Sequence, residues 1–160
     1  MGSVGVTELF PGPVQEVESR WYDTSRWPAW VDGLDRVLSI EDDWPRVGGS
    51  VTWESGPAGR GTVIEQVTAY ERLAGQTLEV QDTAIRGRQI VAFRTVGDSV
   101  EVKLSLQYSH RHGSIVMPLI DLLFIRREMT RSLARTLTRF AAELAVRHGA
   151  RPSSTGDSGQ

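Results

Sequence analysis

No cysteine occurs in the 160 residues, which excludes disulfide scaffolds, thiolate zinc sites, iron–sulfur clusters and cysteine nucleophiles together. An excess of charge of one sign is also missing. Eighteen basic side chains face 20 acidic ones, for a formal net charge of -2, so no global basic field exists to hold a phosphate backbone and nucleic acid is not expected as a partner. No stretch reaches the apolar length that spans a bilayer, and Met1 to Phe10 lacks the basic start and apolar core of a signal peptide. The expected setting is cytoplasmic. G-x-S-x-G, P-loop, G-x-G-x-x-G and H-E-x-x-H motifs are absent, which withdraws support from hydrolase, nucleotide-dependent and zincin readings, and no cofactor is expected. No carboxylate pair is spaced for glycosidase chemistry. Ala150 to Gln160 contains no large apolar side chain and is predicted to be a disordered tail. That leaves residues 1–149 as one expected domain, long enough to bury roughly two thirds of the surface its unfolded chain would expose.

Within that length two periods alternate. Ser3 to Phe10 reads as a first strand closed by Pro11-Gly12-Pro13, with Pro13 opening a helix to about Tyr22. Asp23-Thr24-Ser25 supplies capping oxygens for a second short helix through Trp27-Pro28-Ala29-Trp30, which Gly33 ends. From Leu34 the period becomes two, and turn residues recur at Gly48-Gly49, Gly56 to Gly59, Ala74-Gly75, Arg86-Gly87 and Gly97-Asp98. A meander of six strands is predicted. Its clearest member is Val100 to His110, where Val100, Val102, Leu104, Leu106 and Tyr108 alternate with polar residues. Val51 with Trp53, and Leu78 with Val80, fall on inward faces in the same way. For Gln89 to Val96 both parities carry apolar residues, so the face stays open.

Residues 114 to 148 then read as one long helix, with Pro118 in its first turn and no glycine before Gly149. At 100° per residue, Leu119, Leu122, Leu123, Met129, Leu133, Leu137, Phe140, Ala141 and Leu144 share an arc. Arg131, Arg135, Arg139 and Glu143 fall opposite. The fold class is α+β: a seven-stranded curved antiparallel sheet wrapped around a long C-terminal helix, with two short helices after strand 1. A bent sheet gripping one helix leaves room for a cavity between them, the usual place for a small ligand.

Three local features make the chain similar to a known superfamily. They are Asp23-Thr24-Ser25-Arg26-Trp27-Pro28-Ala29-Trp30 after the first helix, Gly48-Gly49 entering a strand with Gly61-Thr62-Val63-Ile64-Glu65 beyond it, and Leu122 to Arg127 in the closing helix. Together with the element order over residues 3 to 148, they resemble the polyketide cyclase/dehydrase and lipid-transport superfamily, also called SRPBCC. START lipid-transfer domains and the birch-pollen allergen group are among its members. The resemblance implies a helix-grip fold with a deep pocket between sheet and C-terminal helix for sterols, lipids, polyketides or plant hormones. Some members are aromatase/cyclases, some only carry or sense ligands, and a chaperone-activating branch binds protein.

Candidate residues follow from faces and from that resemblance. Trp30 and Trp53 are expected pocket walls, although Trp27 and Trp30 also suit a plug at one end of the fold, and Trp21 and Trp44 look structural. Leu78, Phe93, Leu106 and Leu122 complete the apolar lining. Tyr108 and His110 continue the inward parity of the last strand, where a phenol and an imidazole could move a proton during enolisation. His110 and His112 form an H-x-H pair without a third ligand, so no metal site is expected. Arg126 projects into the middle of the core-facing arc with Thr130, where a guanidinium needs a carboxylate, a ligand oxygen or water; the opposing reading is that it snorkels outward. Tyr108, His110 and Arg126 are the candidate catalytic set. Ile115, Val116, Met117, Ile120, Phe124 and Ile125 widen the apolar surface of the same helix and suit a pocket seal or a homodimer contact. The basic face of Arg127, Arg131, Arg135 and Arg139 is read as solvated. The expected partner is a hydrophobic small molecule, bound and, in the enzymatic version, cyclised or dehydrated.

Overall fold

Turn-forming residues and period-two runs set out seven strands along the chain. The computed structural model describes residues 1–57, 59–110 and 119–148, without the side chains at 110, 119–124 and 147–148. The strands are β1 (Gly2–Pro11), β2 (Leu34–Ile40), β3 (Ser50–Ser55), β4 (Thr62–Glu71), β5 (Gly75–Gln81), β6 (Ile85–Val96) and β7 (Ser99–His110). They hydrogen-bond in the order β1-β7-β6-β5-β4-β3-β2, every pair antiparallel. The two edges of the sheet are therefore the two strands that flank the short helices in sequence. Those helices are α1 (Val14–Trp21) and α2 (Trp27–Trp30), joined by a 3-10 turn at Thr24–Arg26, and α3 (Leu119–His148) closes the order. Register shifts interrupt β2 twice and β4 once. Such bulges bend a strand and increase its twist, and the sheet curves around α3.

β3, β5 and β7 each bury one face, as the alternation predicts, whereas β2 buries only Leu34. Val100, Val102, Leu104, Leu106 and Tyr108 are buried on β7, Val51 and Trp53 on β3, and Leu78 and Val80 on β5. The open case, β6, resolves in favour of Ile85, Val91 and Phe93. Between them Gly87 passes so close to β7 that a Cβ would lie 2.5 Å from the Gln107 carbonyl oxygen. Gly75 is more constrained still, with φ at 147° and room for no Cβ against the Val91 carbonyl oxygen, which is why the β4–β5 turn needs glycine there.

The later turns of α3 pack as the projection predicts, burying Leu133, Leu137, Phe140 and Leu144. Phe140 is fully enclosed. Its ring meets Phe10 and Trp21 edge-on at 5.2 and 5.1 Å, and Trp30 at 4.8 Å. Burying that one side chain contributes about 2 kcal/mol before any ring–ring preference. Aromatic side chains thus join β1, α1, α2 and α3 at one point. Two indoles brace the short helices from outside this cluster: Trp27 Nε1 donates to the Trp21 carbonyl at 2.9 Å and Trp44 Nε1 to the Tyr22 carbonyl at 3.0 Å. Asp23 caps the 3-10 turn by accepting from the Ser25 N–H at 3.2 Å.

The opposite face of α3 departs from expectation at Glu143. Projection places it on the solvent side, yet it is buried, because Arg26 Nε donates to it at 2.6 Å and Arg20 Nη1 lies 3.8 Å away. The short helices wrap far enough round α3 to cover that position. The predicted helix start at residues 114–118 and the tail at 150–160 lie outside the described residues, as do His112, Ile115, Val116 and Met117.

Candidate functional site

Between the sheet and the α3 residues Ile125 to Arg135, a cavity of about 560 Å³ opens. Trp53, Ile85, Leu106, Ile125, Met129 and Leu133 form its apolar walls. A recess of about 60 Å³ continues inward along the same walls, sharing Asp32, Trp53, Arg60, Gln89, Ser132 and Leu133 with the wider space. Trp30, Glu65, Gln76, Leu78, Leu104 and Thr136 line the recess. The apolar chamber therefore ends in a narrow polar pocket, a form suited to a ligand with an apolar body and one polar end.

Strand parity carries polar groups into this space. β4 alternates Val63, Glu65 and Val67 on its buried face, so the Glu65 carboxyl enters the core between two valines. Trp53 Nε1, from the paired strand β3, donates to Glu65 Oε1 at 3.1 Å. Burial pushes the Glu65 carboxyl above its ordinary range, opposed by the Trp53 hydrogen bond and by the charge of Arg60. Beside it, Arg60 Nε donates to Asp82 Oδ2 at 2.5 Å. Asp82 is held in turn by the Ala84 and Ile85 N–H groups at 2.7 and 2.8 Å. A paired guanidinium and carboxylate thus sit next to a carboxyl that has no cation of its own within salt-bridge distance among the described residues.

At the mouth, the turn after α2 is tied to α3 through Asp32. Its carboxylate accepts from Arg135 Nε and Nη2 at 3.0 Å each and from Ser132 Oγ at 2.7 Å, while Arg139 Nη1 lies 3.2 Å away. The Asp32 backbone N–H donates to Thr136 Oγ1 at 3.0 Å. Burial alone would raise this carboxyl, but the hydrogen bonds and charges of Arg135, Ser132 and Arg139 leave it below its ordinary range. Because Arg131 pairs with Glu128 as well, three of the four arginines on the basic face have carboxylate partners.

Several expected site residues meet here and others do not. Trp53 lines both parts of the cavity, Leu106 the outer part, and Trp30 and Leu78 the recess. Phe93 is buried in the aromatic core against Trp21 and Tyr22 and lines neither part. Tyr108 is buried beyond the end of the cavity, with its ring against Gly2, and borders a separate surface hollow beside Met1 and Arg86. Arg126 is exposed, which corrects the inward placement. The arc facing the sheet at this level is centred on Ile125, Met129 and Ser132, so a side chain at position 126 points past the cavity. Thr130 is half-buried, lines no part of the cavity and donates its hydroxyl to the Arg126 carbonyl at 2.9 Å. The His110 and Leu122 side chains lie outside the described residues; His110 ends β7 opposite Ile85 and Leu122 lies within α3. Of the proposed trio, Tyr108 and Arg126 are therefore not brought together around the cavity. Glu65, Arg60, Gln76 and Asp32 were missed. For Glu65 a signal was available in the alternation Val63, Glu65, Val67.

The comparisons agree with this architecture. Residues 1–145 match the family described as polyketide cyclase / dehydrase and lipid transport. No curated protein matches the chain. Among solved structures, a conserved protein from Geobacillus kaustophilus aligns over 90% of this chain and 95% of its own at 14% identity, with a TM-score of 0.69. A START superfamily protein from Mycobacterium smegmatis aligns over 90% and 97% at 15% identity, TM-score 0.67. The structure of Ara h 8.0201 aligns over 91% and 98% at 9% identity, TM-score 0.69. At such identities the likeness establishes the helix-grip fold, and the family match over nearly the whole chain establishes descent: the chain belongs to the polyketide cyclase/dehydrase and lipid-transport family.

Proposed function

We propose that the protein binds a hydrophobic or aromatic small molecule, polyketide- or lipid-like, in the cavity between the sheet and α3. One observation carries the reading: a chamber of about 560 Å³ with apolar walls, within the size range of small-ligand sites. The ligand-binding unit in this reading is residues 1–149, working in the cytoplasm. Native mass spectrometry of the purified full chain tests it by seeking a co-purifying small molecule. Leu106→Trp, which fills the chamber, should abolish that adduct while the protein stays folded. Adduct mass unchanged in the filled variant would remove the cavity from the function and favour a protein-binding module instead.

A second reading, acid–base-assisted cyclisation or dehydration of such a ligand, is favoured by the buried Glu65 beside Trp53. A carboxyl in a desolvated recess is suited to proton transfer. An enzyme should lose turnover of a polyketide substrate in Glu65→Gln while retaining binding, and a carrier should show no turnover to lose.

A further inference from the structure

The recess carries more hydrogen-bonding groups than the protein itself uses. Among the described residues, Trp30 Nε1 and Gln76 Oε1 are both buried without a hydrogen-bond partner, on side chains only 1% and 3% exposed. The Gln76 amide is oriented by its Nε2, which donates to the Pro45 carbonyl at 2.8 Å, and this leaves the oxygen as the unused end. Arg60 adds a third group: its Nη2 is buried and has no partner among the described residues, although its Nε is bound to Asp82. Buried polar groups are seldom left unmatched, and a ligand that matched them would gain what the empty protein forgoes.

Glu65 completes the set. It is 6% exposed, accepts from Trp53, and has no cation within salt-bridge distance among the described residues. Burial favours its neutral form, in which a carboxylic acid becomes a donor as well as an acceptor. Among the described residues, the buried recess groups left unused are then mostly donors: the Trp30 indole N–H, the Arg60 Nη2 guanidinium N–H and the Glu65 acid O–H, against the Gln76 amide oxygen. The nearby positive charge is already matched by Asp82, so an incoming carboxylate would arrive without a free counter-charge.

We propose that this recess recognises the neutral carbonyl end of an otherwise apolar aromatic ligand, with Glu65 and Trp30 Nε1–H donating to carbonyl oxygens and Gln76 Oε1 accepting from a neighbouring hydroxyl. This rests on the cavity being the ligand site and narrows the ligand class to keto-aromatic molecules uncharged at the buried end. The other charged groups around the cavity are Arg60 before β4, Asp82 before β6, Asp32 before β2, and Glu128 and Arg135 on α3. Asp82 and Asp32 are each paired with arginine.

Calorimetric titration of the full chain with 2-acetonaphthone and with 2-naphthoate tests the assignment, since the two probes differ chiefly in the charge of the carbonyl end. The ketone should bind about tenfold more tightly near neutral pH. Glu65→Leu should weaken the ketone by about tenfold, the worth of one buried hydrogen bond, while Glu65→Gln, which still donates, should stay within about threefold. Ketone affinity should fall as pH rises through the raised range of Glu65 and stay level in Glu65→Gln, separating Glu65 from the other carboxylates. Equal or tighter binding of the carboxylate, or a ketone affinity unmoved in Glu65→Leu, overturns the recess assignment and leaves the cavity as a binding site. Failure of wild-type protein to take up either probe, with no co-purified molecule, overturns the cavity reading itself.

Discussion

Asp32 and Arg135 form a two-pronged ion pair, both guanidinium nitrogens meeting carboxylate oxygens at 3.0 Å, that fastens the turn before β2 to α3 across the cavity mouth. Ser132 and the Thr136 hydroxyl reinforce the same joint. Asp32→Ala should cost about 1 to 2 kcal/mol of stability, in the range of a partly buried, charge-assisted contact. The native carboxyl lies below its ordinary value of 3.8. Its contribution is therefore complete above that value and is lost as pH falls below it. Urea-unfolding midpoints taken from neutral pH downward should show this acid decline in the wild type and a shallower one in Asp32→Asn. Parallel curves would deny the joint its role.

Glu65 obeys the opposite sign. Its carboxyl lies above the ordinary value of 4.5 because burial disfavours the charge. The folded protein then holds a proton that the unfolded chain releases, so stability falls as pH rises from about 4.5 through the native value. Glu65→Gln should remove that slope and raise stability on the order of 1 kcal/mol under mildly alkaline conditions. A residue that lowers stability at the pole of a cavity is consistent with retention for ligand recognition. Thermal-unfolding midpoints of the two proteins across pH provide the measurement, and a slope persisting in Glu65→Gln would place its origin elsewhere.

These two carboxylates mark where the fold outran the pattern. Strands, helices and their order could be read from turn residues and from the period, because the dry face of β7 carries uninterrupted apolar alternation and those of β3 and β5 each carry an apolar pair, Val51 with Trp53 and Leu78 with Val80. Trp53, Leu78 and Leu106 were legible for the same reason. Glu65 breaks the alternation of β4 with a charge, and a carboxylate between two valines shows its value only once Trp53 is seen beside it. Arg126 failed for a geometric reason: projection gives an angle but not which angle faces the sheet at a given level. Asp32 could not be found from spacing at all, since its partners lie 100 to 107 residues away and meet it only through the packing of α2 on α3. Tyr108 kept its parity but packs its ring beside Gly2 of the neighbouring strand β1 and lines no part of the cavity.

Arg126 now gives a sharp negative expectation. It is exposed and lines no part of the cavity. Arg126→Ala should therefore leave both stability and 2-acetonaphthone affinity unchanged, within about 0.5 kcal/mol, as for an ordinary surface substitution. Parallel calorimetry and urea unfolding would check this. A tenfold loss of affinity in the folded variant would restore the inward reading.

Phe140 should show the reverse behaviour. It is fully enclosed and touches Phe10, Trp21 and Trp30 at once, so truncation removes the contact that joins β1, both short helices and α3. Phe140→Ala should cost about 3 to 5 kcal/mol, the sum of lost transfer energy and the void left behind, and Phe140→Leu roughly a third as much. Trp30 forms both the wall of the recess and one side of this cluster. Loosening Phe140 should consequently weaken ligand affinity even though Phe140 lines no part of the cavity. Urea unfolding gives the stability and calorimetry the affinity; loss of stability with affinity intact would show that the recess is held by Trp53 and Glu65 alone.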